Sequence, residues 1–353
     1  MTLRAFYHPA QGLHAPQQFM RAGVLAPTTD VPARTAALLG ALDRLGIAPE
    51  VPSDLGRAPA EAIHPVAYLD FLETAFARWQ ELPRHGPEVL PNTFPAAGDP
   101  ALGLDGAVRP PCPSPHLIGQ TGWYLGDLAV ALGPQTWTSA LHSTHSAAAA
   151  ADVLAAGASR AYALCRPSGH HCRPDRASGF CYLNNAAIAA ERLRRAGAGR
   201  VAILDIDAHH GDGTQATFYD RGDVLTVSIH VDPDAYYPFY TGRRAERGRG
   251  PGEGANLNLP LAPGAGDADY RAAIVEGVAA VRRFGAEVLI LGLGFDNHAE
   301  DPLSLTQVTT PGFAAAGEAV AAAGLPVLVV QEGGYAVDVI GGCLEAFLGG
   351  LGA

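Results

Sequence analysis

Five short apolar runs constrain this chain most: Ala161–Cys165, Val201–Asp207, Val224–His230, Val288–Gly292 and Val327–Glu332. Several are continuous rather than alternating, which suits strands buried on both faces. Between them lie Ala-rich stretches with helical spacing near Ser143–Ala156, Asn185–Arg195, Ala268–Phe284 and Pro311–Ala323, and a last one comes after Tyr335. Such alternation predicts βαβ units, hence an α/β fold with a parallel sheet flanked by helices. No internal repeat or linker interrupts it, so residues 1–353 read as a single domain. The exception is Pro83–Pro115, which holds nine prolines and little periodicity and reads as an inserted loop.

With 48% hydrophobic residues, 42 Gly and 28 Pro, the chain can bury a large core and still make many tight turns. The N-terminal MTLRAFYHPAQG lacks an apolar stretch of the signal-peptide kind, and no run approaches the roughly 18 apolar residues of a membrane span. Cys112, Cys165, Cys172, Cys181 and Cys343 form no CxxC pair, which fits a reducing cytoplasm. The balance of 24 basic against 35 acidic residues gives −11, a charge that repels nucleic acid and attracts cationic substrates.

In parallel α/β sheets ligands sit beyond the carboxyl ends of the strands. Here those ends read RPSGHH, DIDAHHGDG, SIHVDP, GLGFDNHAEDP and QEGGY. Period-two alternation places Asp205, Asp207 and His209 on one side of an extended segment. Asp207 and His209 supply a carboxylate and an imidazole for one divalent ion, and Asp296 completes a set of three with an open position, the pattern of catalytic zinc. Ferrous ion can share such a His/carboxylate site. The tandem pair His170 and His171 offers a general base and an electrostatic partner, with Asp205 and Asp212 left to orient one imidazole each. Tyr335, after Gly333-Gly334, can aim a phenol at the oxyanion formed when water attacks an amide carbonyl.

RPSGHH, GFCYLNN, DIDAHHGDG, GFDNHAEDP and EGGY stand in the order and approximate spacing of the histone deacetylase superfamily. Upstream, LDFLETAFARW, IGQTGWY and the Pro-rich loop resemble the bacterial acetylpolyamine amidohydrolases. The resemblance implies an arginase/deacetylase-like fold and a zinc-dependent hydrolase that removes an acetyl or short acyl group from the nitrogen of a small amine. It makes Asp207, His209 and Asp296 metal ligands, Tyr335 the carbonyl-polarising donor and His171 the principal base, oriented by Asp212. His170 then supports, tuned by Asp205. It further implies that Gly179 offers a backbone carbonyl to the substrate amide, that Phe180 and Tyr237 wall a narrow tunnel, and that the backbone around Asp205, Asp207, His209 and Ser228 holds a structural K+ or Na+.

Departures from the pattern accompany the likeness. Polyamine-selective relatives carry a Glu where this chain has Ile118 and another where it has Ala129, although Asp127 is close; Ser168 and Cys172 replace a commoner proline and alanine. An acyl-lysine peptide is therefore the alternative substrate. A dinuclear ureohydrolase is disfavoured because Gly211 and His298 stand where it needs carboxylates, and the intact catalytic set disfavours a mere binding protein. The Pro83–Pro115 loop is expected to pack against a second subunit as a fixed wall at the tunnel mouth, making a homodimer, with Asp99 and Asp105 available to a distal ammonium.

Overall fold

A computed structural model describes residues 3–96 and 108–352. Asp99 and Asp105 lie outside the described residues. In chain order the strands are β1 (Arg4–Phe6), β2 (Gln18–Arg21), β3 (Val24–Pro27), β4 (Arg160–Ala163), β5 (Val201–Asp205), β6 (Val224–Val231), β7 (Asn256–Leu261), β8 (Val288–Leu293) and β9 (Val327–Gln331). Seven of them form one sheet in the order β1-β4-β9-β8-β5-β6-β7, with every neighbouring pair parallel. The antiparallel pair β2 and β3 stands apart.

The five apolar runs become β4, β5, β6, β8 and β9, and their continuity has the expected cause. Val201 and Ile203 of β5 pack with Leu193, Ile290 and Leu328 on one face, beneath the helices Thr136–Ala155 and Asn185–Arg195. Ala202 and Leu204 point the other way, to Leu42, Ile274, Leu291 and Phe347. That face lies under the helices Ala33–Arg44, Asp267–Phe284, Thr310–Ala321 and Val337–Leu351. Each fully buried Val, Leu or Ile contributes about 1.5–3 kcal/mol, so the two faces together hold the layers. Asn184 starts the helix Asn185–Arg195 by accepting the Ala187 N–H at 2.9 Å.

Three elements lack a continuous apolar signal. β1 has only three residues. β7 alternates, because Asn256 and Asn258 turn to one side and both donate to Gln215 Oε1 at 2.9 Å. The β2–β3 hairpin turns on Ala22 and Gly23, both at positive φ (49° and 78°), a primed turn in which Ala is an unusual first residue. Between residues 83 and 115 the described segments hold no helix or strand beyond a single bridge between Val89 and Leu132.

The topology aligns the chemistry. From β5 the chain moves outward to β6 and β7, then returns to lay β8 and β9 on the other side of β5. Asp205 is in register with Ser228 and Gly292, Gly292 with Val330, and Val330 with Ala163. The loops after β4, β9, β8, β5 and β6 therefore leave one sheet edge side by side, at the switch point where α/β sheets bind ligands. No helix among the described residues is long and apolar enough to cross a membrane.

Candidate active site

β5 ends at Asp205, and the chain beyond it does not continue as the extended segment that alternation suggests. Asp205 Oδ1 accepts the Asp207 N–H at 3.0 Å and Asp207 Oδ1 accepts the His209 N–H at 2.9 Å. Two successive turns of this Asx type bend the chain, and His170 meets both carboxylates, its Nδ1 2.8 Å from Asp205 Oδ2 and its Nε2 3.9 Å from Asp207 Oδ1. Asp207 and His209 are brought to Asp296, which comes just after β8: His209 Nδ1 lies 2.8 Å from Asp296 Oδ2 and 3.2 Å from Asp207 Oδ1. One donor atom from each of the three residues lies within 4.8 Å of the others, all buried. Burial and the charge of Asp207 push the Asp296 carboxyl up to about 7. Burial opposes a charge on His209, but Asp296 and Asp207 outweigh it and raise the imidazole to about 9. A buried set with one nitrogen and two mutually repelling carboxylates fits a divalent cation, which would relieve that repulsion. Backbone closes tightly around it: a Cβ on Gly294 would sit 2.0 Å from Asp207 Oδ2, and one on Gly333 would sit 2.5 Å from Asp296 Oδ2.

The tandem histidines reach the same place from the loop after β4. His170 Nδ1 lies 2.8 Å from Asp205 Oδ2, and His171 Nδ1 lies 2.8 Å from Asp212 Oδ1. Their ring centroids are 4.0 Å apart, and His171 meets His209 edge-on at 5.8 Å. The two environments push in opposite directions. Burial and the neighbouring His170 take His171 down to about 4 in spite of Asp212. Burial also opposes a charge on His170, yet Asp205 and Asp207 hold it well above the usual imidazole range. The surroundings thus favour the free base at His171 and the cation at His170.

Tyr335 stands after the glycines that end β9, and a buried ionic cluster positions it. Arg34 donates to the carbonyl of Gly334 and to Glu332 O at 2.7 Å, with its guanidinium 4.6 Å from the Tyr335 ring centroid. Asp30 bridges Arg34 and Arg166 at 2.6 and 2.8 Å, and the two guanidinium groups hold its carboxyl below the usual range although burial opposes them. Asp301 Oδ2 accepts the Tyr335 N–H at 2.6 Å and the Ala336 N–H at 3.0 Å. Sequence reasoning misses Arg34 and Asp30, since a salt-bridged residue far from every motif carries no local signal, and it passes over Asp301, which stands near the end of the GFDNHAEDP stretch without any sign of its contact with the Tyr335 backbone. In sequence Glu332 is only a strand end; in the fold its Oε2 accepts the Gly169 and His170 N–H groups at 2.8 and 3.2 Å.

Gly179 and Phe180 line the approach at φ 53° and 65°. A side chain at Gly179 would place Cβ 2.4 Å from His171 Cδ2, so both the conformation and the close approach require glycine. Tyr237 stands opposite, edge-on to His171 at 5.0 Å. Asp127 ties the two walls together: its Oδ2 accepts from the Tyr237 hydroxyl at 2.6 Å and the Gly179 N–H at 3.0 Å. Phe19, from the unforeseen hairpin, packs edge-on to Phe180 at 5.4 Å and joins Leu303, Ala129 and Tyr335 in an apolar collar. Tyr236, also unforeseen, stacks on His209 at 4.5 Å.

The chain matches the histone deacetylase domain over residues 28–351. It belongs to the histone deacetylase family. Acetylpolyamine amidohydrolase of Burkholderia pseudomallei is 43% identical over 349 residues, 99% of this chain and 98% of that protein. Acetylpolyamine amidohydrolase of Mycoplana ramosa is 39% identical, covering 90% of this chain and 91% of that one. A crystal structure of acetylpolyamine aminohydrolase from Burkholderia pseudomallei superposes with a TM-score of 0.93 at 42% identity, over 100% of this chain and 99% of the other. The sheet is thus that of an arginase/deacetylase-like fold, and the chain is a hydrolase of amide C–N bonds within a metal-dependent family.

The two positions where polyamine-selective relatives carry Glu have distinct surroundings. Ala129 lies in the apolar collar, whereas Ile118 packs outside it with the cluster that contains Trp79 and Tyr124. Gly211 has no room for a carboxylate, because a Cβ there would meet Asp205 Oδ2 at 2.5 Å. His298 faces Thr310 Oγ1 at 3.3 Å and accepts the Glu300 N–H through Nδ1 at 3.2 Å. Among the described residues, then, the group formed by Asp207, His209 and Asp296 has no fourth His, Cys, Asp or Glu to bridge a second hard cation. Ser228 stands next to Asp205 across the β5–β6 pair and accepts the Gly211 N–H at 3.3 Å.

Proposed function

We propose that this chain removes an acetyl or short acyl group from the nitrogen of a small amine, with N-acetylated polyamines as the substrate class. The observation that carries the reading is the meeting of His171 on Asp212, His170 on Asp205 and the Asp207–His209–Asp296 set within one buried cluster. Full-length relatives named for acetylpolyamines support the substrate class. Asp207, His209 and Asp296 hold the divalent ion, zinc or its ferrous substitute, which when bound supplies Lewis-acid polarisation of the amide carbonyl. The backbone around Asp205, Asp207, His209 and Ser228 would hold a structural K+ or Na+ that supports the ligand loop.

His171 performs the proton transfers. Asp212 accepts its Nδ1–H, which leaves Nε2 unprotonated to take the proton of the attacking water and pass it to the departing amine. His170 keeps its proton and lowers the energy of the negative charge that develops. The Tyr335 hydroxyl donates to the carbonyl oxygen as it becomes an oxyanion, and Arg34 beneath the ring holds that aim. The Gly179 carbonyl accepts the substrate amide N–H, while Phe180 and Tyr237 flank the acyl chain and exclude water.

The five free cysteines suit a cytoplasmic enzyme, and the Pro83–Pro115 loop supplies the face of a homodimer that narrows the entrance to small substrates. An acyl-lysine peptide is the second reading, favoured by the apolar Ala129 in the collar of the approach. The test is kcat/KM of the zinc-loaded protein for N-acetylputrescine, N-acetylcadaverine, an acetyl-lysine peptide and a folded acetylated protein, with solution mass measured alongside. The reading expects a dimer that prefers the small amines. A monomer that deacetylates the folded protein as fast as the amines would refute it.

A further inference from the structure

Behind the tandem histidines lies a second set of donors that the reaction does not use as ligands. His170, Cys181 and Glu332 are all buried, and one donor atom from each lies within 4.8 Å of the other two. Each has an atom to spare. His170 Nδ1 is committed to Asp205, which leaves Nε2. Glu332 Oε2 is committed to two backbone N–H groups, while Oε1 is buried without a hydrogen-bond partner. Cys181 is a free thiol. A buried polar atom left unpaired costs about 1–3 kcal/mol, which a proton or a cation would offset. The donor chemistry also differs from that of the neighbouring set, since a thiolate in place of a carboxylate favours softer ions such as zinc and cadmium.

We propose that His170, Cys181 and Glu332 form a second, soft divalent-ion site behind the catalytic centre, filled when zinc or cadmium is in excess, and that filling it stops turnover. Binding forms one bond each to nitrogen, sulfur and oxygen, releases the Cys181 thiol proton and the proton on His170 Nε2 to solvent, and involves no change of oxidation state. Bond lengths of about 2.0–2.3 Å require the donors to draw together by on the order of 1 Å. The loss of turnover rests on the proposed reaction and on the place of His170 beside its centre: Nε2 lies 3.9 Å from Asp207 Oδ1, so the two sites adjoin. Once Nε2 is bound to the second ion it can no longer donate a hydrogen bond into the catalytic centre.

The experiment titrates zinc-loaded protein with Cd2+, monitoring the thiolate-to-cadmium charge-transfer band in the ultraviolet together with turnover. The parent should show a band that saturates near one added equivalent, with turnover falling at least tenfold in parallel. Cys181→Ser should lose the band and keep its turnover at the same Cd2+ concentration, whereas Cys112→Ser, changed at a half-buried thiol elsewhere, should behave as the parent. Glu332→Gln keeps an oxygen for the Gly169 and His170 N–H groups and replaces Oε1 by an amide; it should retain the band and bind Cd2+ at least tenfold more weakly. A band unchanged in Cys181→Ser, or Cd2+ affinity unchanged in Glu332→Gln, overturns the site. A band lost in Cys181→Ser while the parent stays active with the site filled would overturn the switch and show that the reaction does not need His170 Nε2.

Discussion

Asp127→Asn keeps the shape of the residue that joins the two walls of the approach and removes its charge. The carboxylate accepts three hydrogen bonds, from the Tyr237 hydroxyl at 2.6 Å, the Gly179 N–H at 3.0 Å and the Ala129 N–H at 2.8 Å. An amide offers one acceptor oxygen, so in either orientation its NH2 confronts a backbone N–H that can only donate. A hydrogen bond to a charged group contributes about 1.5–3 kcal/mol. At 1.36 kcal/mol per factor of ten, the loss amounts to about 10- to 150-fold in kcat/KM if it falls on the transition state. KM should rise as well, because Gly179 is placed against the substrate amide in ground state and transition state alike. Tyr237→Phe gives up only the phenol bond and should lose less. Since both changes break the same contact, the double variant should be little worse than Asp127→Asn alone. Steady-state rates on N-acetylputrescine, with circular dichroism to verify folding, decide the matter. An Asp127→Asn protein within twofold of the parent, or losses that simply add, would refute this linkage between the walls.

The same geometry sets other expectations. His171→Ala and Tyr335→Phe should each lower kcat by about 10²–10⁴-fold with Tm nearly unchanged, and near-parent turnover in either would remove that residue from the mechanism. Chelator should lower Tm and one equivalent of zinc restore it, by about 2.7 kcal/mol at a free concentration one hundred times Kd, while Asp296→Ala should not respond; a Tm indifferent to zinc in the parent would count against the ligand set. His64 is held neutral in the fold, its Nδ1 2.8 Å from Pro174 O and its Nε2 accepting the Asn184 N–H at 3.0 Å, and burial pushes it down to about 4. The unfolded chain therefore binds the extra proton first, so stability is full above about pH 6.5 and declines as pH falls towards 4, by on the order of 3 kcal/mol. Urea midpoints across that range should drop less steeply in His64→Gln, and an equal slope would show that His64 is not responsible.

The features legible in the sequence are those with a local cause. The central strands announce themselves because burial on both faces demands an unbroken apolar run, and the helix Asn185–Arg195 by its Ala-rich helical spacing; its Asn184 cap is a finding of the structure. His170, His171, Asp207, His209 and Asp296 can be gathered in advance because each stands directly after such a strand. Contacts made at a distance leave no mark: Phe19 reaches Phe180 from a hairpin whose turn begins on an unusual Ala22, and Arg34 reaches Gly334 from a helix with no motif. Asp127 stands out in the sequence for its sign and its nearness to the mouth, but its hydrogen bonds depend on the positive φ that bends Gly179 towards it.

The position of β9 between β4 and β8 has a consequence for how the chain is made. The last strand to be synthesised is not an edge but the seam that joins β1 and β4 to β8, β5, β6 and β7. Until residues 327–331 emerge, β4 and β8 both present unpaired backbone edges. At about 5–20 residues per second, the stretch from β4 to β9 keeps β4 waiting for roughly 8–35 s. Open strand edges are templates for aggregation. A nascent or truncated chain that stops short of β9 should therefore be held as two half-sheets that need protection from each other's copies, and the ribosome must reach residue 331 before the seven-stranded sheet can close.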